Sequence, residues 1–190
     1  MNVGTVEGMT NTADEYRSNA ADFNARVEAV PADAWENQSP CADWKARDVV
    51  RHVVDTSGMF LGFIDQKLPP APSVDEDPVA AWHSARDTIQ AALDDPATAS
   101  KEYDGFAGKS TFEQGVQKFL GADLIVHTWD LARATGGDET IDPKKAEAML
   151  ESLEPMDKMM RQPGAFDEKI DPPQADDPAT RLLNFVGRKV

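Results

Sequence analysis

Apolar residues return every three or four positions along four stretches of the chain, the mark of amphipathic helices. In the first, Ala13, Tyr16, Ala20, Phe23, Val27 and Val30 share one face. Thr12 and Glu15 have capping-box spacing and Pro31 forbids continuation, so a helix is expected over roughly 12–30. The second expected helix, 46–66, carries Val49, His52, Val53, Thr56, Phe60, Phe63 and Ile64 on one side, with Asp48 in its first turn complementing the helix dipole. Asp77 followed by Pro78 is a cap and a first-turn proline; it opens a third helix over 78–94 whose inner face is Val79, Trp82, Ala85, Ile89, Ala92 and Leu93. The fourth is expected over 110–135, from a Ser110/Glu113 capping box to the Gly136–Gly137 stop, with Phe112, Val116, Phe119, Leu120, Leu131 and Ala134 inside.

Asp142–Pro143 opens a fifth helix with Ala146, Leu150 and Leu153 inward and a kink or end at Pro155, and Asp177–Pro178 opens a short last one. The segment between Asp94 and Lys109 reads as irregular, and nothing alternates at period two for long enough to predict a strand. Four long amphipathic helices in one small chain pack as a bundle. The reading is therefore all-α: one four-helix-bundle domain over 1–190, with 143–190 as a C-terminal appendage of short helices. The proline-rich connector 68–77 spans about 33 Å when extended, close to the about 30 Å of a twenty-residue helix. That length permits the second and third helices to run parallel, joined by a long crossover.

Charge narrows the choice of partners. A net charge of −15, with the cations scattered, argues against nucleic acid and anionic membrane. The single cysteine, Cys41, forms no internal disulfide, no apolar run approaches the about 20 residues of a membrane helix, and the first residues lack a signal-peptide pattern. A cytoplasmic protein is expected. Glycine-rich phosphate loops, G-x-S-x-G elbows and C-x-x-C pairs are absent.

One helix breaks its own pattern. In DLIVHTWDLARATGG, Asp123, His127 and Asp130 fall on the stripe that should be buried. Asp123 and His127 are four apart and project from one face, while His52 lies on the inward face of the second helix. If these faces meet, two imidazoles and a carboxylate converge. An unpaired buried carboxylate costs several kcal/mol, so it calls for a cation or a dense set of hydrogen bonds. Two histidines and one carboxylate with open positions form the ligand set of catalytic zinc and of several other first-row metals. A buried hydrogen-bond network holding the helices in register satisfies the same three residues.

SPCADWKARDVVRHVVD, then ADLIVHTWDLARATG far downstream, resemble the actinobacterial DinB-like metal-binding proteins. They are similar in particular to the branch containing mycothiol-dependent maleylpyruvate isomerase, and the closing DDPATRLLNFVGRKV resembles the end of that branch's uncharacterised members. The resemblance implies a DinB-like four-helix bundle with a crossover between its second and third helices. It implies that His52, Asp123 and His127 hold a divalent metal, zinc first, with nickel, iron or manganese as other fits. It further implies mycothiol as cosubstrate and a small electrophile as its partner in thiol transfer or isomerisation. The isomerase carries glutamate where this chain has Asp123.

Around these ligands, Asp130 lies one turn beyond His127 and is the candidate to hold a histidine's free ring nitrogen; pairing with Arg133 is the alternative. Asp48 reads as a helix-start residue, Trp129 as packed beneath a loop or tail, and Cys41 as a small buried hydrophobe, a thiolate ligand near the bundle mouth being the alternative. His83 reads as a surface residue, while Met149, Met156, Met159 and Met160 fill the core or a subunit interface, where a homodimer would cover apolar stripes. Three function classes stand: a metal-dependent thiol transferase or isomerase, a metal- or ligand-binding bundle without turnover, and a purely structural polar core.

Overall fold

The computed structural model describes residues 11–105, 108–161, 166–171, 173 and 175–190. The N-terminal stretch read above as lacking a signal peptide lies, up to residue 10, outside the described residues. Helix α1 is Thr12–Ala29, α2 Ala46–Phe63 and α3 Pro78–Asp94. A one-turn α4, Pro96–Ala99, leads into a hairpin of β1, Glu102–Gly105, and β2, Gly108–Thr111. The fourth long rod is built of α5, Phe112–Gly115, a π-helical turn Val116–Leu120, and α6, Gly121–Thr135. After it come α7, Pro143–Leu153, a 3₁₀ turn Glu154–Met156, the short α8, Asp157–Met160, and α9, Pro178–Phe185.

Polar contacts along the rods fix their directions. Asp75, just before α3, accepts hydrogen bonds from Arg51 near the start of α2, at 2.7 and 3.2 Å, so α2 and α3 begin at the same end. Gln90 of α3 donates to the Ala13 carbonyl and His83 pairs with Glu28 at 3.0 Å, so α3 runs antiparallel to α1. Gln117 donates to Glu15 at 2.6 Å and Arg26 pairs with Asp138 at 2.8 Å, setting α1 parallel to the α5–α6 rod. The order is up, down, down, up. The fold is the all-α bundle with the crossover between α2 and α3 that the connector length permits, its Val74 buried in the core.

The core is the meeting of the apolar stripes: Tyr16, Phe23 and Val27 from α1, Val49, Val53 and Phe60 from α2, Trp82 and Ile89 from α3, and Phe112, Val116, Leu120, Leu124 and Leu131 from the fourth rod. Each large side chain fully withdrawn from water contributes about 1.5–3 kcal/mol. A second apolar cluster, Ala122, Ile125, Ala146, Met149, Leu150, Leu153 and Leu182, lies on the opposite side of α6. There α7 and α9 lean against the helix. Buried on both sides, α6 shows almost no solvent face.

Several local expectations shift. Asn11, not Thr12, caps α1, its Oδ1 accepting from the Asp14 N–H at 2.9 Å. Asparagine is as good a cap as any residue, and starting one residue earlier captures an amide that Thr12 would leave exposed. The Ser110/Glu113 box is replaced by Thr111/Gln114, because β2 runs on through Thr111 and the helix starts only at Phe112. The hairpin itself is a correction to the irregular reading of 94–109. Strands of four residues are too short to declare a period. Gly115 is required where it stands, since a β-carbon there would collide with the Tyr103 hydroxyl and meet Phe60 at 2.8 Å. α2 stops at Phe63 rather than continuing to 66, with Asp65 in the left-handed region at φ 59°. Gly136 ends α6 at φ 71°, as the double glycine implies. Among the described residues no helix is long and apolar enough to cross a membrane.

Candidate metal centre

The antiparallel contact of α2 with α6 brings His52 against Asp123. His52 Nε2 donates to Asp123 Oδ2 at 3.2 Å, and the His52 and His127 rings lie edge to face with centroids 5.0 Å apart. One donor atom from each of His52, Asp123 and His127 falls within 4.8 Å of the others. Trp44, in the loop before α2, packs on both imidazoles at 4.9 and 5.9 Å between centroids. The group is graded in depth: side-chain exposure is 34% for His52, 20% for Asp123 and 8% for His127. It sits at the edge of the core, with a route to water on one side.

Behind it lies a network centred on a fully enclosed acid. Asp130, one turn past His127, is 0% exposed and accepts from His127 Nδ1 at 2.9 Å. Its other contacts come from far along the chain. Arg188 Nε donates to Oδ1 at 2.9 Å, Arg188 Nη2 to Oδ2 at 3.2 Å, and the Cys41 thiol to Oδ2 at 3.3 Å. Arg188 also donates to Cys41 Sγ at 3.0 Å and to Asp167 at 3.0 Å. Arg133, the alternative partner considered for Asp130, pairs with Glu139 at 2.6 Å and lies over the Trp129 ring, which is buried. Asp48 accepts from the Lys45 N–H at the start of α2, as a helix-start residue should.

Charge states follow from these partners. Burial disfavours protonated His52, but the hydrogen bond and charge of Asp123 outweigh it, helped by Asp55 and Asp130, and the imidazole is raised above its ordinary value. Burial would lift Asp130, yet His127 and Arg188 overcome it and hold the carboxyl below the usual range. For Cys41, burial and then the Asp130 charge push the thiol up to about 12, Arg188 offsetting only part. Cys41 is thus buried as expected but is a thiol donor in a polar cluster rather than a plain hydrophobe.

Among the described residues two trios could hold an ion, and they share His127: His52–Asp123–His127 and Cys41–His127–Asp130. The second is already filled. Its thiol donates to Asp130, and its carboxylate also accepts from His127 and from two nitrogens of the Arg188 guanidinium, which stands where a cation would pair with it. In the first, His127 Nδ1 is held by Asp130, so Nε2 is the ring nitrogen left to offer, and among the described residues His52 and Asp123 have only each other as side-chain hydrogen-bond partners. A tetrahedral ion with bonds of about 2.0–2.2 Å spaces its ligands about 3.4 Å apart, and the 3.2 Å His52–Asp123 separation already matches. The donor set therefore fits a divalent ion.

The model of the mycothiol maleylpyruvate isomerase N-terminal domain family matches residues 16–132. The chain belongs to that family. The match runs from α1 almost to the end of α6 and so includes all three donors, Cys41 and Asp130. Two uncharacterised proteins from two strains of Mycobacterium tuberculosis are each 29% identical over 173 residues, covering 88% of this chain and 92% of the relative. No solved structure matches the chain.

Arg188 is the functional residue the sequence reading did not single out. The only signal was the Gly-Arg ending of the tail, and nothing in local periodicity links it to a residue 58 positions upstream.

Proposed function

We propose that the protein holds a divalent metal, zinc first, through His52, Asp123 and His127, and uses it to carry a small thiol in transfer to, or isomerisation of, a small electrophile. The observation that carries this reading is the one-sided satisfaction of His127: its Nδ1 is fixed by Asp130 while His52 and Asp123 converge on its other flank. The family supports the choice of thiol, its name being that of a mycothiol-dependent isomerase domain.

When bound, the ion supplies a Lewis-acidic position at which a thiol ionises near neutral pH. The chain's own residues do the rest. Asp130, held by Arg188, keeps the His127 proton on Nδ1 and sets the ring's orientation. His52, one-third exposed, would have to give up its Nε2 proton to solvent before that nitrogen could serve as a donor. Trp44 walls the site on one side and limits water there.

A second reading, an ion-binding bundle without turnover, is favoured by one feature. Asp130, the further acid in contact with the donors, has both oxygens committed and is not free to serve as a base.

The test is elemental analysis of purified protein coupled to a mycothiol-transfer assay. Wild type should carry one ion per chain, and His52→Ala, Asp123→Ala and His127→Ala should each lower that content. Unchanged metal in all three variants would sink the site. Full metal occupancy with no thiol transfer to a panel of electrophiles would select the second reading.

A further inference from the structure

On the side of α6 away from His52, a cavity of about 890 Å³ opens between α1, the hairpin, the π-helical turn and α7. None of His52, Asp123 and His127 lines it. Its volume lies within the about 300–1,000 Å³ of small-molecule sites, and it owes its shape to two local features. The first is the π-helical turn itself, the one such turn among the described residues. A π turn gives up regular helical bonding and persists where a side chain must be re-aimed, and Val116, Gln117, Lys118 and Phe119 of this turn all line the cavity. The second is Gly121, where the missing side chain leaves Met149 across the gap.

The wall is apolar, with Tyr103, Phe119, Ile125 and Met149 among its residues, and its rim is cationic. In a chain of net charge −15 that is the informative feature. Lys109, Lys118, Lys144 and Lys145 all border the opening. Lys145 is committed to Asp22 at 2.5 Å. The ammonium groups of Lys109, Lys118 and Lys144 form no ion pair among the described residues. Of the acids in the same lining, Asp14 pairs with Arg17 at 2.5 Å, while Glu15 accepts from the neutral Gln117 amide at 2.6 Å and keeps its charge. Three ammonium groups against one carboxylate leave the mouth net positive, and the chamber behind it is apolar.

We infer that this cavity is a second ligand site, for an amphipathic organic anion of the fatty-carboxylate kind, its apolar body in the chamber and its acidic head at the lysine rim. The inference stands independently of the metal reading.

Fluorescence titration with anilinonaphthalene sulfonate, competed by decanoate, tests it on the full chain. Saturable one-to-one binding is expected, displaced by decanoate and not by decanol. Ala148→Trp, an exposed lining position that fills the mouth without touching the core, should weaken binding by about tenfold or more. Lys118→Glu combined with Lys144→Glu should do so by about tenfold through charge alone. Metal content should not change in either variant. Absence of saturable binding, binding untouched by both variants when circular dichroism shows them folded, or displacement by decanol as readily as by decanoate would each overturn the proposal.

Discussion

On one flank of His127, Asp130 is fully enclosed and its two oxygens accept from an imidazole, a guanidinium and a thiol. On the other flank, His52 and Asp123 keep a third and a fifth of their side-chain surface in water, and among the described residues each is the other's only side-chain hydrogen-bond partner. The same three kinds of group, acid, imidazole and cation, are present on the first flank. On the second, the acid's partner is an imidazole, and among the described residues no guanidinium joins the pair. Burial explains why this matters: a carboxylate at 0% exposure must be neutralised by the protein itself, whereas one at the edge can leave a place for something that arrives from solution. The raised His52 points the same way, since the imidazole holds a proton where a divalent ion would sit.

If the enclosed flank is complete without an ion, breaking it should cost the fold itself. Arg188→Ala leaves Asp130 buried without its guanidinium, and stability should fall by about 3–5 kcal/mol, read as a shift in the denaturant midpoint of the metal-free protein. A loss below about 1 kcal/mol, the scale of an exposed pair, would show that the network is no more than surface decoration.

A smaller effect is expected from Asp130→Asn. The amide keeps the shape and can still accept from His127 Nδ1, but it gives up the charge that fixes the ring and pairs with Arg188. Metal affinity should drop by about 10–100-fold, measured by competition with a chromophoric chelator. An unchanged affinity would separate the two flanks altogether and make the enclosed one a matter of architecture alone.

How far the sequence showed this arrangement depends on the distance over which each signal acts. Asp77–Pro78, Asp142–Pro143, Asp177–Pro178 and Gly136 mark helix ends with chemistry confined to a few residues, and all four act where they stand. Asp95–Pro96 is the same device, passed over because the helix it opens is a single turn. Asp123 and His127 were legible because a polar pair on an apolar stripe contradicts its surroundings, and His52 because it breaks the stripe facing it. Arg188 was not, because its side chain closes on Asp130 only after α7 and α9 have folded back along α6. The π turn was equally hidden: the Phe112, Val116 and Leu120 spacing suits an ordinary helix, and only packing against α1, α2 and the hairpin decides where the extra residue goes.

Acid sharpens the same contrast. Asp130 has a folded value below its unfolded 3.8, so the stability it contributes is fully present above that pH and is lost as pH falls through the folded value. Metal-free wild type should therefore show no loss from this group between neutrality and about pH 4. In Arg188→Ala, burial is opposed only by His127 and the weaker Cys41 thiol donor, so the carboxyl rises and the loss begins at higher pH. Acid titrations of the two proteins followed by circular dichroism should diverge, with the variant unfolding first. Coincident curves would mean that Arg188 does not hold the Asp130 charge.

The least change is expected from Asp123→Glu, which bears most closely on the open flank. The added methylene lengthens the side chain by about 1.5 Å. Asp123 sits at an edge that is one-fifth exposed, so the longer chain has room to bow towards solvent without entering the core. Asp123 Oδ2 is already 3.2 Å from His52 Nε2, so the longer glutamate would crowd His52 unless its chain bows towards solvent. His52 can adjust through its own exposed edge, whereas His127 is pinned from behind by Asp130. With two of the three donors able to adjust, affinity should change by less than about tenfold, with stoichiometry unchanged. Complete loss of the ion in Asp123→Glu, with Asp123→Asn no worse, would mean that the carboxylate's reach, not its charge, sets the open flank, and that this site selects its ion by size.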